Sequence, residues 1–217
     1  MALQNRVTPF GEIIATPERG TLMGNRGGRI HHNHEQRLTN RRWASWHWIA
    51  CRLEFKGWHR EVMSPNTYTE LFFLDEATAL AAGHRPCALC RRDDFQQFMA
   101  AWAAGSPSLV PNRPLRAGDV DAVLHGERAA RRGEKMTYVA DLGSLPDGAM
   151  VELPEDPGRA WLLWSGCLHE WTAGGYRASR AFDLAQQATV LTPRSIVRAL
   201  GAGYAPAVHG SRGPLGR

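Results

Sequence analysis

The stretch FFLDEATALAAGHRPCALCRRDDF, residues 72–95, decides the fold. Asp75 is suited to cap a helix, because its carboxylate can accept from the unpaired N–H groups of a first turn that includes Thr78. Gly83 stands where such a helix ends in the left-handed region, so the spacing predicts a short helix between them. Pro86 then fits the start of a second helix, CALCRRDDFQQFMAAWAAG, which Gly105 and Pro107 terminate. Phe95, Phe98, Met99 and Trp102 recur at helical spacing and are expected to face a core. Asp93 and Asp94 read as first-turn residues favoured by the helix dipole rather than as acid/base catalysts.

Cys87 and Cys90 sit three positions apart at the expected helix start. Two thiolates so placed can bind one metal ion, and the positive end of a helix lowers their pKa. A complete zinc site needs four ligands, and no second Cys-x-x-Cys or His pair follows. Two other uses of the pair stay open: buried cysteines without metal, and a redox pair, although no βαβ pattern precedes it.

The residues Phe72, Phe73, Leu80, Ala81, Ala82, Gly83, Arg85, Pro86, Cys87 and Cys90 resemble the second half of the zinc-binding domain of Ada-type DNA methylphosphotriester repair proteins. His84 stands where that family has an aromatic residue, and the likeness covers residues 48–99. It implies an α+β zinc domain that touches DNA phosphates. The family's Cys-x-x-x-Cys pair, whose first cysteine accepts the methyl group, has no counterpart in FKGWHREVMS, residues 55–64. Methyl transfer is therefore not expected. If zinc is bound, Cys51 and His59 are the nearest candidates for the missing ligands, with Cys167 and His169 a competing pair. Cys51 is equally open to being a core thiol.

Working upstream, WASWHWIACRLEF alternates: Ile49, Cys51, Leu53 and Phe55 share one face of a strand, Arg52 and Glu54 the other. TYTELFFL, rich in aromatic residues and Thr, predicts a second strand. Residues 1–40 read as a loop-rich segment with a short strand from Glu12 to Ala15. Downstream, a helix is expected from Asp119 to Arg132, ending at Gly133. Short runs such as MTYVADL, AMVEL, RAWLLW and ATVLTP, split by PDG, EDPG and TAGG turns, then predict a β-rich section. A last helix follows Thr192 as its cap.

The 217 residues are 43% hydrophobic, enough for a packed core rather than a disordered or fibrous chain. Twenty-six Lys and Arg against 21 Asp and Glu give a field that favours anionic partners. Four cysteines are too few for a disulfide scaffold, and no secretion signal or long apolar run is seen, so a cytoplasmic protein outside the membrane is expected. Arg26, Arg29, Arg41, Arg85, Arg91 and Arg92, interleaved with Trp46 and Trp58, suggest phosphate contacts and stacking platforms. His31, His32 and His34 in RIHHNHEQR offer an alternative as general base or metal ligands of a hydrolase or nuclease. The expectation is an α+β protein: an Ada-like metal-binding region over residues 41–133, and a β-rich section over 134–217 forming one unit with the rest. It is expected to bind zinc and nucleic acid, most plausibly DNA. A purely structural or protein-interaction zinc module is the third alternative.

Overall fold

The computed structural model describes residues 2–59, 61–129 and 134–212. It is α+β, with two six-stranded sheets. The first sheet is built from β1 (Gln4–Val7), β2 (Ile13–Ala15), β3 (Leu22–Arg26), β4 (Trp48–Arg52), β5 (Leu71–Phe73) and β6 (Arg85–Pro86). Its order is β2-β1-β5-β3-β4-β6, with β1 parallel to β5 and β4 parallel to β6. Residues 1–40, expected to be mostly loop, thus supply half the strands of this sheet. Their strands are short, and β3 carries Gly24 where a side chain would interrupt the pattern: a Cβ there would lie 2.0 Å from the Ile49 carbonyl oxygen. Close approach of β3 and β4 therefore requires the glycine.

Two helices connect the strands. In α1 (Glu76–Ala81), Asp75 caps the first turn by accepting from the Thr78 N–H at 2.9 Å. Gly83 adopts φ +85°, the expected terminator. Helix α2 (Arg92–Gly105) begins five residues later than its sequence suggested, because Arg85 and Pro86 pair with Ile49 and Ala50 and the next residues form a turn. Phe98 and Trp102 on α2 are fully buried, whereas Phe95 and Met99 flank them half-buried. Helix α3 (Ala117–Arg128) starts two residues before Asp119, which braces its first turn by accepting from the Arg116 N–H. Its expected end at Arg132 and Gly133 lies outside the described residues.

The β-rich section forms the second sheet: β7 (Tyr138–Asp141), β8 (Met150–Glu152), β9 (Ala160–Trp164), β10 (Cys167–Thr172), β11 (Gly175–Arg180) and β12 (Gln187–Val190). The strand order is β11-β10-β9-β8-β12-β7, antiparallel throughout. Helix α4 (Arg194–Gly201) packs on α2, and Phe98, Trp102, Val120, Leu124, Ile196 and Leu200 share one core cluster. Thr192 does not cap α4; its hydroxyl accepts from the Met150 N–H, and Pro193 takes the cap position.

Buried carboxylates tie the last described residues to α1. Asp75 also accepts from the Tyr176 hydroxyl and the His209 N–H, and Glu76 accepts from the Tyr204 hydroxyl and pairs with Arg91. Each is nearly inaccessible and fully partnered, the condition under which a buried charge is tolerated. Among the described residues, no helix is long and apolar enough to cross a membrane.

Candidate metal centre

Strand pairing brings the cysteines together. Parallel pairing of β4 with β6 sets Ala50 beside Pro86, and the Cys87 N–H continues the ladder to the Ala50 carbonyl at 2.9 Å. The chain then folds over, closed by the Arg91 N–H donating to the Cys87 carbonyl at 3.1 Å. Cys90 comes back toward Cys51, one residue beyond Ala50 on β4. The Sγ atoms of Cys51, Cys87 and Cys90 all lie within 4.8 Å of one another. Tetrahedral zinc–thiolate bonds of ~2.3 Å would place the sulfurs ~3.8 Å apart, so a small inward shift suffices.

Backbone donors already aim at the sulfurs. The Leu89 N–H donates to Cys87 Sγ and the Arg52 N–H to Cys90 Sγ, each at 3.4 Å. Such N–H groups stabilise thiolate over thiol. The Cys51 and Cys90 thiols hold Cys87 well below the ordinary thiol range by hydrogen bonding to it. Cys51 is pushed up, first by its hydrogen bond to Cys87, then by that to Cys90 and by burial. Cys90, lowered by Cys51 but raised more by Cys87 and burial, ends raised. Three crowded sulfurs cannot all ionise without a cation among them, and the donor set is chemically soft. The cluster can hold a metal ion.

All three cysteines line one pocket of about 230 Å³, together with Met23, Asn25, Ile49, Phe55, Trp58 and others. Its rim is apolar and open: Trp58 is 66% exposed, Leu89 60% and Leu53 45%. Trp58 meets Phe55 edge to face, with centroids 5.6 Å apart. A larger cavity of about 490 Å³, lined by Asn5, Arg6, Arg19 and Phe72 among others, has no thiol, imidazole or carboxylate in its wall. The chemistry therefore belongs to the smaller one.

The chain matches no family model, no curated protein and no solved structure. The site rests on its own geometry.

That geometry sorts the residues expected from sequence. Cys51 joins Cys87 and Cys90. His59 is exposed and stands outside the cluster, as do Cys167 and His169, which lie on β10 in the other sheet. Asp93 and Asp94 sit in the first turn of α2, and Asp94 accepts from Arg91 Nε at 2.8 Å. His31 is locked in the fold, its Nδ1 2.7 Å from the Thr69 hydroxyl and its Nε2 3.2 Å from the Ser64 carbonyl. His32 and His34 are exposed and outside the cysteine cluster.

The arginines divide. Arg26, Arg85 and Arg91 are buried: Arg26 donates to the Gly11 and Arg42 carbonyls, Arg85 forks onto Asp121 at 2.9 and 2.7 Å, and Arg91 pairs with Glu76 and Asp94. Arg85 and Arg91, neutralised by carboxylates, hold the fold rather than a partner, a correction to their expected role as phosphate contacts; Arg26 has only carbonyl partners. Arg29, Arg41 and Arg92 are exposed. Trp46 is 52% exposed, as a platform would be.

Sequence reasoning missed Met23, Asn25, Phe55, Tyr68 and Leu89 as pocket residues. The alternation on β4 carried the signal for this face, but it was read as core. Trp48 and Ala50 are the buried side chains, whereas Ile49 and Cys51 are half-buried at the pocket.

Proposed function

We propose that the protein is a zinc-containing nucleic-acid-binding protein without methyl-transfer activity, built on an Ada-like core. Cys51, Cys87 and Cys90 would hold the ion. The observation that supports this reading is the placement of those thiols in the wall of an aromatic-rimmed pocket. Zinc, when bound, would cross-link β4 to the turn before α2.

The pocket's size and walls favour binding over hydrolysis. At about 230 Å³ it is smaller than the ~300–1,000 Å³ of sites that enclose whole small molecules. It suits one flat ring at a time. Trp58 and Phe55 offer the π-faces on which an unstacked base can rest, and stacking is sequence-tolerant. Among the described residues no carboxylate or imidazole lines the pocket, so it lacks the general bases that hydrolytic zinc sites most often use. His31, the one buried member of the three candidate general bases, spends both ring nitrogens on the fold.

Elemental analysis of the purified chain and titration with single- and double-stranded DNA at two salt concentrations test this. One zinc per chain is expected, with tighter binding to single strands. If the exposed Arg29, Arg41 and Arg92 each meet one phosphate, the logarithm of affinity should fall with that of salt at a slope of about −2. A metal-free chain, or no DNA binding at low salt, overturns the proposal.

A further inference from the structure

The opposite face of β4 carries a second charged cluster that the metal site does not use. Trp48 is its centre. The guanidinium carbons of Arg26 and Arg128 lie 4.3 and 4.1 Å from the centroid of its ring, and the Trp48, Arg26 and Arg128 residues are all nearly inaccessible. Lys135 joins them: its stem is partly exposed, but its ammonium turns inward and donates to the Ala81 carbonyl at 2.5 Å.

These cations meet only carbonyl oxygens. Arg26 donates to Gly11 and Arg42, and Arg128 donates to Gly83 and Trp46. The Nε atoms of Arg26 and Arg128 are buried and make no hydrogen bond. The nearest carboxylates are taken, Asp121 by Arg85 and His47, and Glu12 by Arg42. Arg26, Arg42, Arg128 and Lys135 line a single cavity with Phe10 and Trp43, and among the described residues no acidic one lines it.

Burying several like charges without a counter-charge costs several kcal/mol per ion. The strain is visible in their proton affinities. Burial first, and neighbouring cations second, lower Arg26 to about 9 and Lys135 to about 7. Burial likewise lowers Arg128 to about 9, although Asp121 partly opposes it.

We propose that this cavity is a phosphate-binding site, in which an oxygen of the anion enters between Arg26, Arg42, Arg128 and Lys135. Its free volume of about 10 Å³ is room for roughly one water-sized atom, so an oxygen fits and the rest of the anion stays at the mouth. Guanidinium forks with free N–H donors match the spread oxygens of an oxyanion. The same chemistry is offered by inorganic phosphate and by the backbone of a polynucleotide. This site stands independently of the metal centre.

The test is calorimetric titration of the full chain with inorganic phosphate, at ionic strength held constant with chloride. Saturable binding and a rise in Tm beyond that in chloride are expected. Lys135→Met and Arg42→Gln, at partly exposed positions, should each weaken phosphate binding about tenfold or more while near-UV circular dichroism stays native. Arg159→Gln, in the loop just before β9, should leave it unchanged. Absence of phosphate-specific binding, or equal affinity in the Lys135→Met and Arg42→Gln variants, overturns the proposal. A parallel titration with a single-stranded oligonucleotide separates the sources. Loss of both ligands in Lys135→Met assigns the site to polynucleotide phosphate, and loss of phosphate alone assigns it to the free anion.

Discussion

The two faces of β4 are charge-unbalanced in opposite senses. On one, Cys51 faces Cys87 and Cys90, three groups that become anionic together only around a cation. On the other, Trp48 lies under Arg26 and Arg128, cations held by neutral carbonyls. Strand alternation separates these environments by a single residue step. The metal-binding face is half-open and rimmed by exposed apolar side chains, while the cationic face is packed around Trp48 and leaves only a narrow cavity between its cations. Stability is therefore expected to depend chiefly on the Trp48 side and access of a flat ring on the Cys51 side, except where the metal itself links the two.

The metal gives the largest contrast. Structural zinc contributes roughly 10–16 kcal/mol of binding free energy in small zinc domains, and most of it vanishes with one thiolate. Cys51→Ser and Cys87→Ser should each lose the ion by elemental analysis and melt at lower temperature, whereas Cys167→Ser should retain it in full. Metal kept at full stoichiometry in Cys51→Ser would break the pairing of the two faces through β4.

Trp48→Ala comes next. Removing a fully buried Trp costs about 3–5 kcal/mol, and here it also leaves two guanidiniums without the ring they stack on. Urea denaturation should show a loss of that size, with zinc still bound below the transition. A loss under 1 kcal/mol would mean that the cationic face is not part of the core.

How much of this was legible in the sequence follows the range of the interactions. The Cys87–Cys90 spacing is local, and so were Asp75 as a cap and Gly83 as a terminator. Cys51 was within reach as a ligand, yet its neighbours Ile49, Leu53 and Phe55 made its face look like core. Apolar alternation identifies two faces without saying which one the protein covers. The arginines failed for a different reason. Arg85 is neutralised by Asp121, 36 residues away, and Arg26 donates to carbonyls at Gly11 and Arg42, and no local pattern encodes either contact. β2 matches the short strand expected from Glu12 to Ala15, whereas β1 and β3 escaped because four residues, and five interrupted by Gly24, hold too little periodicity to register.

His84 sharpens the comparison through pH. It lies three residues before Cys87 in sequence and on the cationic side in space, fully buried, with centroids 5.1 Å from Trp48 and 4.7 Å from Phe73. Neither ring nitrogen forms a well-shaped hydrogen bond, so the imidazole packs as an aromatic ring would. Burial, then the charges of Arg26 and Arg128, hold its pKa well below 6.5. The unfolded chain therefore takes up a proton below pH 6.5 that the folded chain refuses, and stability falls as pH falls. The slope approaches about 1.4 kcal/mol per pH unit for one proton. In His84→Phe this part of the pH dependence should disappear from urea denaturation between pH 6.5 and 5. An unchanged slope would show that the imidazole is protonated in the fold.

Trp58 closes the series with the smallest effect on stability and the most direct bearing on function. Exposed at 66% and touching Phe55 edge to face, it contributes little to the core, so Trp58→Ala should change the free energy of unfolding by no more than about 0.5 kcal/mol. If a base rests on it, the same substitution should weaken single-stranded DNA binding by about 1–3 kcal/mol and leave the salt slope intact, because the ring carries no charge. The expected result inverts Trp48→Ala: full stability with lost binding, against lost stability. Equal DNA affinity in Trp58→Ala and the parent would remove the pocket from the binding surface and leave the cysteine cluster a purely structural centre.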